Sequence, residues 1–223
     1  MSTAATASTR ERLLEAARAV IEKDGYAGAS VLQVAERAGV AAGTLYRHFD
    51  SKEQLFVEVF RAVCAREERA MLAAGDALGP HVGAIARLEE VLATFARRAL
   101  RNPRLAWALL AEPVDPRVDA ERLAYRARYT RFVAESLRGA IAAGEIPALD
   151  VEFTAAAVVG GCGAALVGPL APSSGTPSRD AVVASMRAFV RRAVGAGPAS
   201  GVEAEGADPV AAAKGAHPAG GAR

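Results

Sequence analysis

The chain has 223 residues, which is enough for one or two domains that each bury an apolar core. Alanine accounts for 54 of these residues, arginine for 24 and lysine for 3, and aromatic residues make up 5%. Because alanine favours helices and aromatic residues favour strands, this composition predicts an all-α fold. The formal net charge of +2 excludes a histone-like or membrane-coating polycation, so nucleic acid could be bound only through a local basic patch.

The sequence disfavours several other classes of protein. No apolar run reaches the ~18 residues needed to span a bilayer, and residues 1–10 contain no apolar stretch typical of a signal peptide. Cys64 and Cys162 are typical of small buried side chains and the histidines are scattered, so we predict no metal site and no cofactor. The sequence has no nucleophile motif, phosphate-binding glycine loop or paired catalytic acid and base, so we do not expect an enzyme. These features are typical of the reducing cytoplasm.

Helix start and stop signals are dense in the first third of the chain. Ser8, Ser30 and Ser51 each begin a capping box, in which a serine and the Glu or Gln three residues later bond each other's backbone amides. Gly25 and Gly39 are helix-stop residues, because glycine adopts positive φ without a steric cost. The predicted helices cover residues 8–24, 30–38, 42–48 and 51–72.

The rest of the chain also has the pattern of consecutive helices. Asn102-Pro103 and Asp115-Pro116 each place a capping residue before a proline at the first helical position. Asp150 caps a further helix, and a loop at residues 170–177 separates it from the last one. These five helices are predicted at residues 81–100, 103–112, 116–143, 151–168 and 178–194. The sequence therefore predicts about nine helices.

The helices divide into two domains with loose ends. Residues 8–72 are predicted to form the first domain, whose fourth helix is shared with a second domain at residues 80–195. Residues 1–7 are expected to be flexible. Residues 196–223 contain no Leu, Ile or aromatic residue and are predicted to be a disordered tail, because they cannot bury enough apolar surface to offset ordering entropy.

Residues 30–49 have the pattern of a helix-turn-helix, with two short helices flanking Gly39. In this motif the second helix enters the major groove of DNA and its first residues meet the base edges. The small residues at that position are Ala41, Ala42, Gly43 and Thr44. The polar or charged residues that would meet phosphates or bases are Tyr46, Arg47, His48 and Lys52.

Some of these polar side chains also have an ordinary structural interpretation. Tyr46 could pack between helices, Arg47 could be a solvated surface residue, and Lys52 could be a solvated charge at a helix start. A cation at a helix N-terminus opposes the helix dipole, and this favours phosphate binding by Lys52.

The motif lies within a longer and more specific run of residues. That run is Gly39-Val40, Gly43-Thr44-Leu45-Tyr46, His48-Phe49 and Ser51-Lys52-Glu53, followed by Leu55-Phe56. Over about residues 9–60 it resembles the DNA-binding domain of the TetR family of bacterial transcriptional regulators. The resemblance implies that Ser30 caps its helix against a DNA phosphate and that residues 41–44 read or flank bases. It also implies that Tyr46, His48 and Lys52 hold phosphates.

One departure from the family concerns the start of the second helix of the motif. Many members carry Ser followed by a polar or basic residue where this chain has Ala41 and Ala42. Because neither alanine side chain can form a hydrogen bond, we expect base reading to depend on Thr44, Arg47 and apolar contact with thymine methyl groups. Arg37 is a further candidate.

The resemblance also implies a helical C-terminal regulatory domain that binds a small effector and dimerises through its last two helices. The candidate pocket residues come from three predicted helices and are Phe95, Trp107, Leu110, Tyr125, Arg126, Tyr129 and Phe132. Each could equally be an ordinary core residue, or in the case of the arginine a solvated one. The sequence does not identify the effector.

Small residues at positions 160–165 of the eighth predicted helix indicate a close approach of two helices, because glycine weakens a helix and needs a packing reason. The candidate dimer-interface residues are Gly161, Ala165, Val182, Met186, Phe189 and Val190. Tight packing within one subunit is the alternative.

These interpretations predict a homodimeric transcriptional regulator, with repression as the expected sign of regulation. It would bind a pseudo-palindromic operator in double-stranded DNA and release it when a small effector binds. The alternatives are an activator or a non-specific DNA binder of the same fold, and an α-helical ligand-binding protein or enzyme whose motif is incidental. No membrane partner is expected.

Overall fold

The computed structural model describes residues 8–171 and 178–197. Within these ranges all regular structure is helical, as the composition predicts. The helices are α1 (Thr9–Gly28), α2 (Val31–Ala38), α3 (Ala42–Tyr46), α4 (Lys52–Asp76), α5 (Ala84–Arg101), α6 (Pro103–Leu110), α7 (Pro116–Ala142), α8 (Val151–Leu170) and α9 (Arg179–Ala193). The flexible N-terminus predicted at residues 1–7, most of the predicted loop at 170–177 and the predicted tail from residue 198 lie outside the described residues.

Most helix starts follow the capping residues that the sequence predicts. Ser8 and Ser30 form complete capping boxes with the side chains three residues later. At Ser51 the hydroxyl accepts from the amide three residues later, but the reciprocal bond of a full box is not formed. Asn102 makes no capping hydrogen bond, and its side-chain amide donates to the Glu22 carboxylate instead.

An apolar cluster lies among α1, α2, α3 and α4. Leu13 of α1, Leu45 of α3 and Phe56 of α4 are almost completely buried in it. Leu105 of α6 and Val118 of α7 are buried in the same cluster, so helices of the second predicted domain contribute to the core of the first. The domain boundaries read from the sequence therefore stay a prediction, because apolar contacts join α1 to α6 across them.

A second apolar cluster lies among α5, α6, α7, α8 and α9. Leu88, Leu137, Leu166 and Val190 are at most 1% exposed within it. The 25-residue helix α4 packs against α1 on one side and against α5 and α7 on the other, so it spans the distance between the two clusters. That α4 is shared between two domains stays a prediction.

Ion pairs between α5 and α9 attach the last helix to the second cluster. Glu89 of α5 is buried and accepts from Arg191 at 2.8 Å. Its neighbour Glu90 accepts from Arg187 of α9 and from Arg97 of its own helix. Because buried carboxylates are costly without partners, Arg187 and Arg191 fix the position of α9 on α5.

Helix α8 corrects one expectation from the sequence. Its 20 residues contain a single charged side chain, Glu152, so by length and composition it could cross a membrane. The prediction that no apolar run is long enough to span a bilayer is therefore wrong. One side of α8 is nevertheless buried against the second cluster at Ala155, Val158 and Cys162. Core helices of globular proteins pass the same test, so the finding is weak evidence for a membrane.

A polar joint connects α1 to the segment that follows α6. Gly25 interrupts α1 with φ 76° and ψ 178°, a conformation that only glycine adopts readily. The amides of Tyr26 and Ala27 are thereby exposed, and they donate to the two carboxylate oxygens of Glu112 at 2.9 and 3.1 Å. Arg104 of α6 donates to the Asp24 carbonyl at 2.9 Å. The end of α1 is therefore held by side chains of α6 and of the segment that follows it.

Replacing Gly25 by Ala is expected to destabilise the fold by about 1–3 kcal/mol, because a side chain is strained at this φ and ψ. The new Cβ would also lie 3.0 Å from Oε1 of Glu112. Urea unfolding followed by circular dichroism measures the change in free energy of unfolding.

Gly139→Ala is the matched control, because Gly139 lies inside α7 with nothing within 4 Å of an added Cβ. This change should stabilise the fold by about 0.5–1 kcal/mol through helix propensity. Equal effects of the two substitutions would contradict the assigned strain at Gly25.

Candidate nucleic-acid interface and internal cavity

Helices α2 and α3 form the predicted helix-turn-helix. The turn between them begins at Gly39, whose φ of 67° and ψ of 40° place it in the left-handed region that glycine favours. Its amide closes α2 by donating to the Glu36 carbonyl at 3.0 Å. Leu45 of α3 and Val34 of α2 are completely buried, which fixes α3 against the first cluster. The motif read from the sequence is therefore confirmed as a local fold.

The predicted DNA contacts lie together at the surface around α3. Ala41, Gly43, Tyr46, Arg47, His48 and Arg37 are exposed, and Ser30, Ala42, Thr44 and Lys52 are partly buried. Tyr46 is 57% exposed and makes no ring contact within the described residues, so its ring does not pack between helices. An added Cβ at Gly43 would meet nothing within 4 Å, which leaves the backbone of α3 open to close approach.

Two cations of this surface, Arg37 and Arg47, have no side-chain partner in the part of the chain that the structure describes. In the described ranges most arginines bond a carboxylate or a backbone carbonyl, whereas the side chains of Arg37 and Arg47 have no hydrogen bond or ion pair there. The same holds for the hydroxyl of Tyr46 and the ring of His48. Groups of this kind keep their full capacity to bind phosphate oxygens or base edges.

Lys52 and Ser30 have partial roles inside the fold. The Lys52 ammonium lies over the rings of Tyr26 and Phe56, 5.8 and 5.3 Å from their centroids, so cation–π attraction offsets its unfavourable place at the start of α4. The Ser30 hydroxyl accepts from the amide of Gln33 at 3.2 Å, which leaves its own proton free to be donated.

Two arginines of α1 that support the motif were not singled out in the sequence. Arg12 donates to the carbonyls of Ala38 and Gly39 at the end of α2. Arg10 pairs with Glu58 of α4 and lies over the Phe49 ring at 5.2 Å. Both contacts join residues at least 26 positions apart, so no local pattern could have identified them.

A cavity of about 520 Å³ lies among helices that belong to both apolar clusters. Its wall is formed by α1, α4, α5, α6, α7 and α8, and most of that wall is apolar. Six of the seven predicted pocket residues line it, namely Phe95, Leu110, Tyr125, Arg126, Tyr129 and Phe132. The volume is within the range of small-molecule sites in proteins.

Trp107 is the predicted pocket residue that does not line this cavity. It is partly buried and packs against the second apolar cluster, because it lies on another side of α6 than Ala106 and Leu110. Sequence reasoning chose it for its ring, whereas its position on the short helix decides its environment.

Sequence reasoning also missed the contribution of α4 and α8 to the cavity. Phe60, Val63 and Cys64 of α4 line it, as do Val159 and Cys162 of α8. Burial raises the pKa of the Cys64 thiol to about 12 and that of Cys162 to about 11, so both thiols are protonated near neutral pH. Cys162 is buried, as the sequence predicts, whereas Cys64 is only partly buried at the cavity wall.

The structure places some of the predicted dimer-interface residues in the subunit's own core and others at its surface. Met186 and Val190 are 5% and 0% exposed because they face the subunit's own core, so a dimer face would have to form without their side chains. Gly161 faces the ring of Phe189 within the chain, where an added Cβ would lie 3.0 Å from the ring. Ala165 is exposed and Val182 is partly buried. The small residue at 161 thus permits close packing of α8 on α9 in one subunit.

Comparison with known proteins identifies the family. The model of bacterial regulatory proteins of the tetR family matches residues 13–59, which include α2, α3 and the start of α4. UidR of Escherichia coli K12, an HTH-type transcriptional regulator, is 30% identical over 149 residues, which cover 66% of this chain and 74% of UidR. This chain belongs to the TetR family of bacterial regulatory proteins.

Other regulators share parts of the chain or its fold. KstR of Mycolicibacterium smegmatis, an HTH-type transcriptional repressor, is 39% identical over 104 residues, or 45% of this chain and about half (48%) of KstR. FadR of Bacillus subtilis, solved in complex with stearoyl-CoA, superposes with a TM-score of 0.66. That alignment covers 86% of this chain and 98% of FadR at 21% identity, so it shows a common fold.

Stability of this TetR-family chain is expected to depend on pH through Glu67 of α4, at the cavity wall. Burial by itself raises the pKa of Glu67, but hydrogen bonds and charge attraction from Arg98 and Arg66 outweigh it and hold the pKa below its usual range. The ion pair therefore contributes fully above the ordinary glutamate pKa, and its contribution is lost as the pH falls through the lowered value.

The test compares urea unfolding of the wild type and Glu67→Gln from neutral pH into the acid range. The wild type should be more stable at neutral pH, and the difference should shrink as the pH falls. Glu135→Gln is the control, since Glu135 is exposed on α7 and has no ion pair within the described residues. A difference for Glu67→Gln that grows on acidification would show that the sign is wrong.

Proposed function

We propose that this protein is a ligand-responsive transcriptional repressor, which binds a pseudo-palindromic operator as a homodimer. The observation that carries the proposal is the surface of α3, where exposed Arg37, Tyr46, Arg47 and His48 have no protein partner in the described ranges. KstR, a relative in sequence, is named a repressor, which supports the sign of regulation. Such a protein would act in the cytoplasm, where the chromosome is accessible to it.

The proposed DNA contacts divide into two kinds. Ala41, Ala42 and Gly43 leave the first turn of α3 without bulky side chains, so its backbone can lie close to base edges in the major groove. Thr44 and Arg47 are then the side chains able to hydrogen-bond bases. The remaining polar groups of this surface, Ser30, Arg37, Tyr46, His48 and Lys52, would fix the position of the protein on phosphates.

Arg47→Ala is expected to weaken binding to the duplex that lies upstream of the protein's own coding sequence. Because Arg47 is assigned to base edges, the loss of affinity should be greater on this duplex than on a scrambled one. A fall of about 1 in the slope of log K against log salt concentration would instead show that Arg47 contacts a phosphate. Fluorescence anisotropy on both duplexes, over a range of salt concentrations, gives both quantities.

Arg69→Ala is the matched control, because Arg69 is exposed on α4 without a protein partner in the described part of the chain. It should leave affinity and salt slope unchanged. Equal affinity of the wild type for the upstream duplex and a scrambled duplex would favour a non-specific binder. A stronger effect of Arg69→Ala than of Arg47→Ala would overturn the assigned interface.

The proposed dimer face is the outer side of α8 with the exposed side of α9. On α8 it consists of exposed apolar residues: Phe153, Ala156, Ala157, Ala164 and Ala165. Phe153 is 73% exposed and Phe189 of α9 is 43% exposed, which is unfavourable for aromatic side chains in water. After Glu152 this helix has no charged residue, so a second copy related by a two-fold axis would meet it without burying a charge.

Ala157→Glu is expected to dissociate the dimer, because a two-fold interface would bury two carboxylates without partners. Size-exclusion chromatography with light scattering gives the mass. Ala120→Glu is the control, since Ala120 is exposed on α7 away from α8, and it should leave the mass unchanged. A wild type that is monomeric at all concentrations would refute the proposed dimer.

Ligand response is proposed to pass from the cavity to the DNA-binding helices through α6. Leu105 lines the cavity and is also buried in the first cluster together with Leu45 of α3. Glu112, just after α6, holds the end of α1 through the Tyr26 amide. A shift of α6 on ligand binding would therefore move α1 and α3 together, and the coupling would be a difference in free energy between two packing states.

A further inference from the structure

The cavity wall changes in character from its interior to its edge. The interior is formed by buried apolar side chains such as Val63, Leu92 and Val133. Among the lining residues only three are exposed to solvent, and these are Arg66 of α4, Arg101 of α5 and Arg126 of α7. The cavity therefore combines an apolar interior with a rim of guanidinium groups from three different helices.

The acidic groups of the wall are already neutralised. The lining contains six arginines and three glutamates. Glu22 accepts from Arg18 at 2.6 Å, Glu67 from Arg98 at 3.0 Å, and Glu68 from Arg128. These carboxylates are therefore not free to bind a cationic ligand.

Two rim arginines have no such partner. Arg101 and Arg126 make no side-chain hydrogen bond, ion pair or ring contact with any described residue, and Arg66 has only a 3.5 Å contact with Glu67. Arg122, also in the wall, is occupied by three backbone carbonyls at the end of α6, at 2.7–2.8 Å. The unsatisfied positive charge of the cavity is therefore concentrated at its rim.

We propose that the cavity binds an amphipathic anion, with its apolar chain among the buried side chains and its carboxylate or phosphate groups at Arg101 and Arg126. This inference rests on the proposed function, and it names the chemical class of the effector. Guanidinium groups bind carboxylate and phosphate oxygens through charge-assisted hydrogen bonds, and the apolar wall provides the burial that a hydrocarbon chain needs. A free fatty acid and a fatty acyl thioester of a nucleotide both have this chemistry.

The test uses isothermal titration calorimetry with probes that share one chain and differ in the head group. The probes are dodecanoate, dodecanol, dodecyltrimethylammonium, dodecanoyl-CoA and CoA alone, each below its micelle concentration. We expect dodecanoate or dodecanoyl-CoA to bind at least about tenfold more tightly than the neutral and cationic probes. Tighter binding of dodecanoyl-CoA than of dodecanoate and CoA would identify the thioester as the source, and the reverse would identify the free acid.

The double variant Arg101→Ala/Arg126→Ala tests the rim. Both side chains are exposed, so the fold should persist, and circular dichroism checks this. The variant should lose the preference for the anionic probe, by about tenfold in the ratio of anionic to neutral affinity. Arg131→Ala is the matched control, because Arg131 is exposed on α7 and does not line this cavity. It should keep the wild-type preference.

Equal binding of dodecanoate and dodecanol, binding of none of the probes, or an unchanged preference in the double variant would overturn the inference. The same protein samples are assayed for binding to the upstream duplex. If they bind that DNA but no anionic amphiphile, the inference fails and the proposed function stands. If the amphiphile binds and no DNA does, the proposed function fails while the chemical class assigned to the cavity stands.

Discussion

The whole arrangement depends on the burial of α6 against α1. Leu105 of α6 belongs to the same apolar cluster as Leu45, the residue that fixes α3, and it also lines the internal cavity. Arg104 and Glu112 add hydrogen bonds between this part of the chain and the end of α1. Because protein interiors are close-packed, α6 cannot move in response to the cavity without changing the support of α1.

Pairing of charges separates structural arginines from candidate binding arginines. Arg12, Arg98 and Arg191 each join two different helices, and their guanidinium groups are occupied by carbonyls or carboxylates. Arg37 and Arg47 near α3, and Arg101 and Arg126 at the rim of the cavity, have no such partners among the described residues. Exposed Arg69 and Arg131 are also unpaired among the described residues, so an unpaired cation is a candidate anion site only where it also lies beside the helix-turn-helix or the cavity.

The sequence predicted the helix-turn-helix, because capping boxes and helix-stop glycines are local signals. That its surface residues contact DNA stays a prediction. The sequence predicted the cavity less well. Phe95 and Tyr129 line the cavity but Trp107 does not, since the side of a short helix that faces a void depends on how that helix packs. The contribution of α4 could not be foreseen either, because Phe60 and Val63, which line the cavity, belong to the same apolar stripe that packs in the first cluster.

The sequence by itself determined the helical fold, the order of the helices and the identity of the motif, since each depends on residues within a few positions of one another. Only the tertiary structure decided which side chains are used for packing inside the subunit and which stay available for binding. Met186 and Val190 are used by the subunit's own core, Gly161 packs on its own Phe189, and the Arg101 side chain has no partner among the described residues. These outcomes depend on contacts between residues far apart in the chain, and no local pattern encodes them.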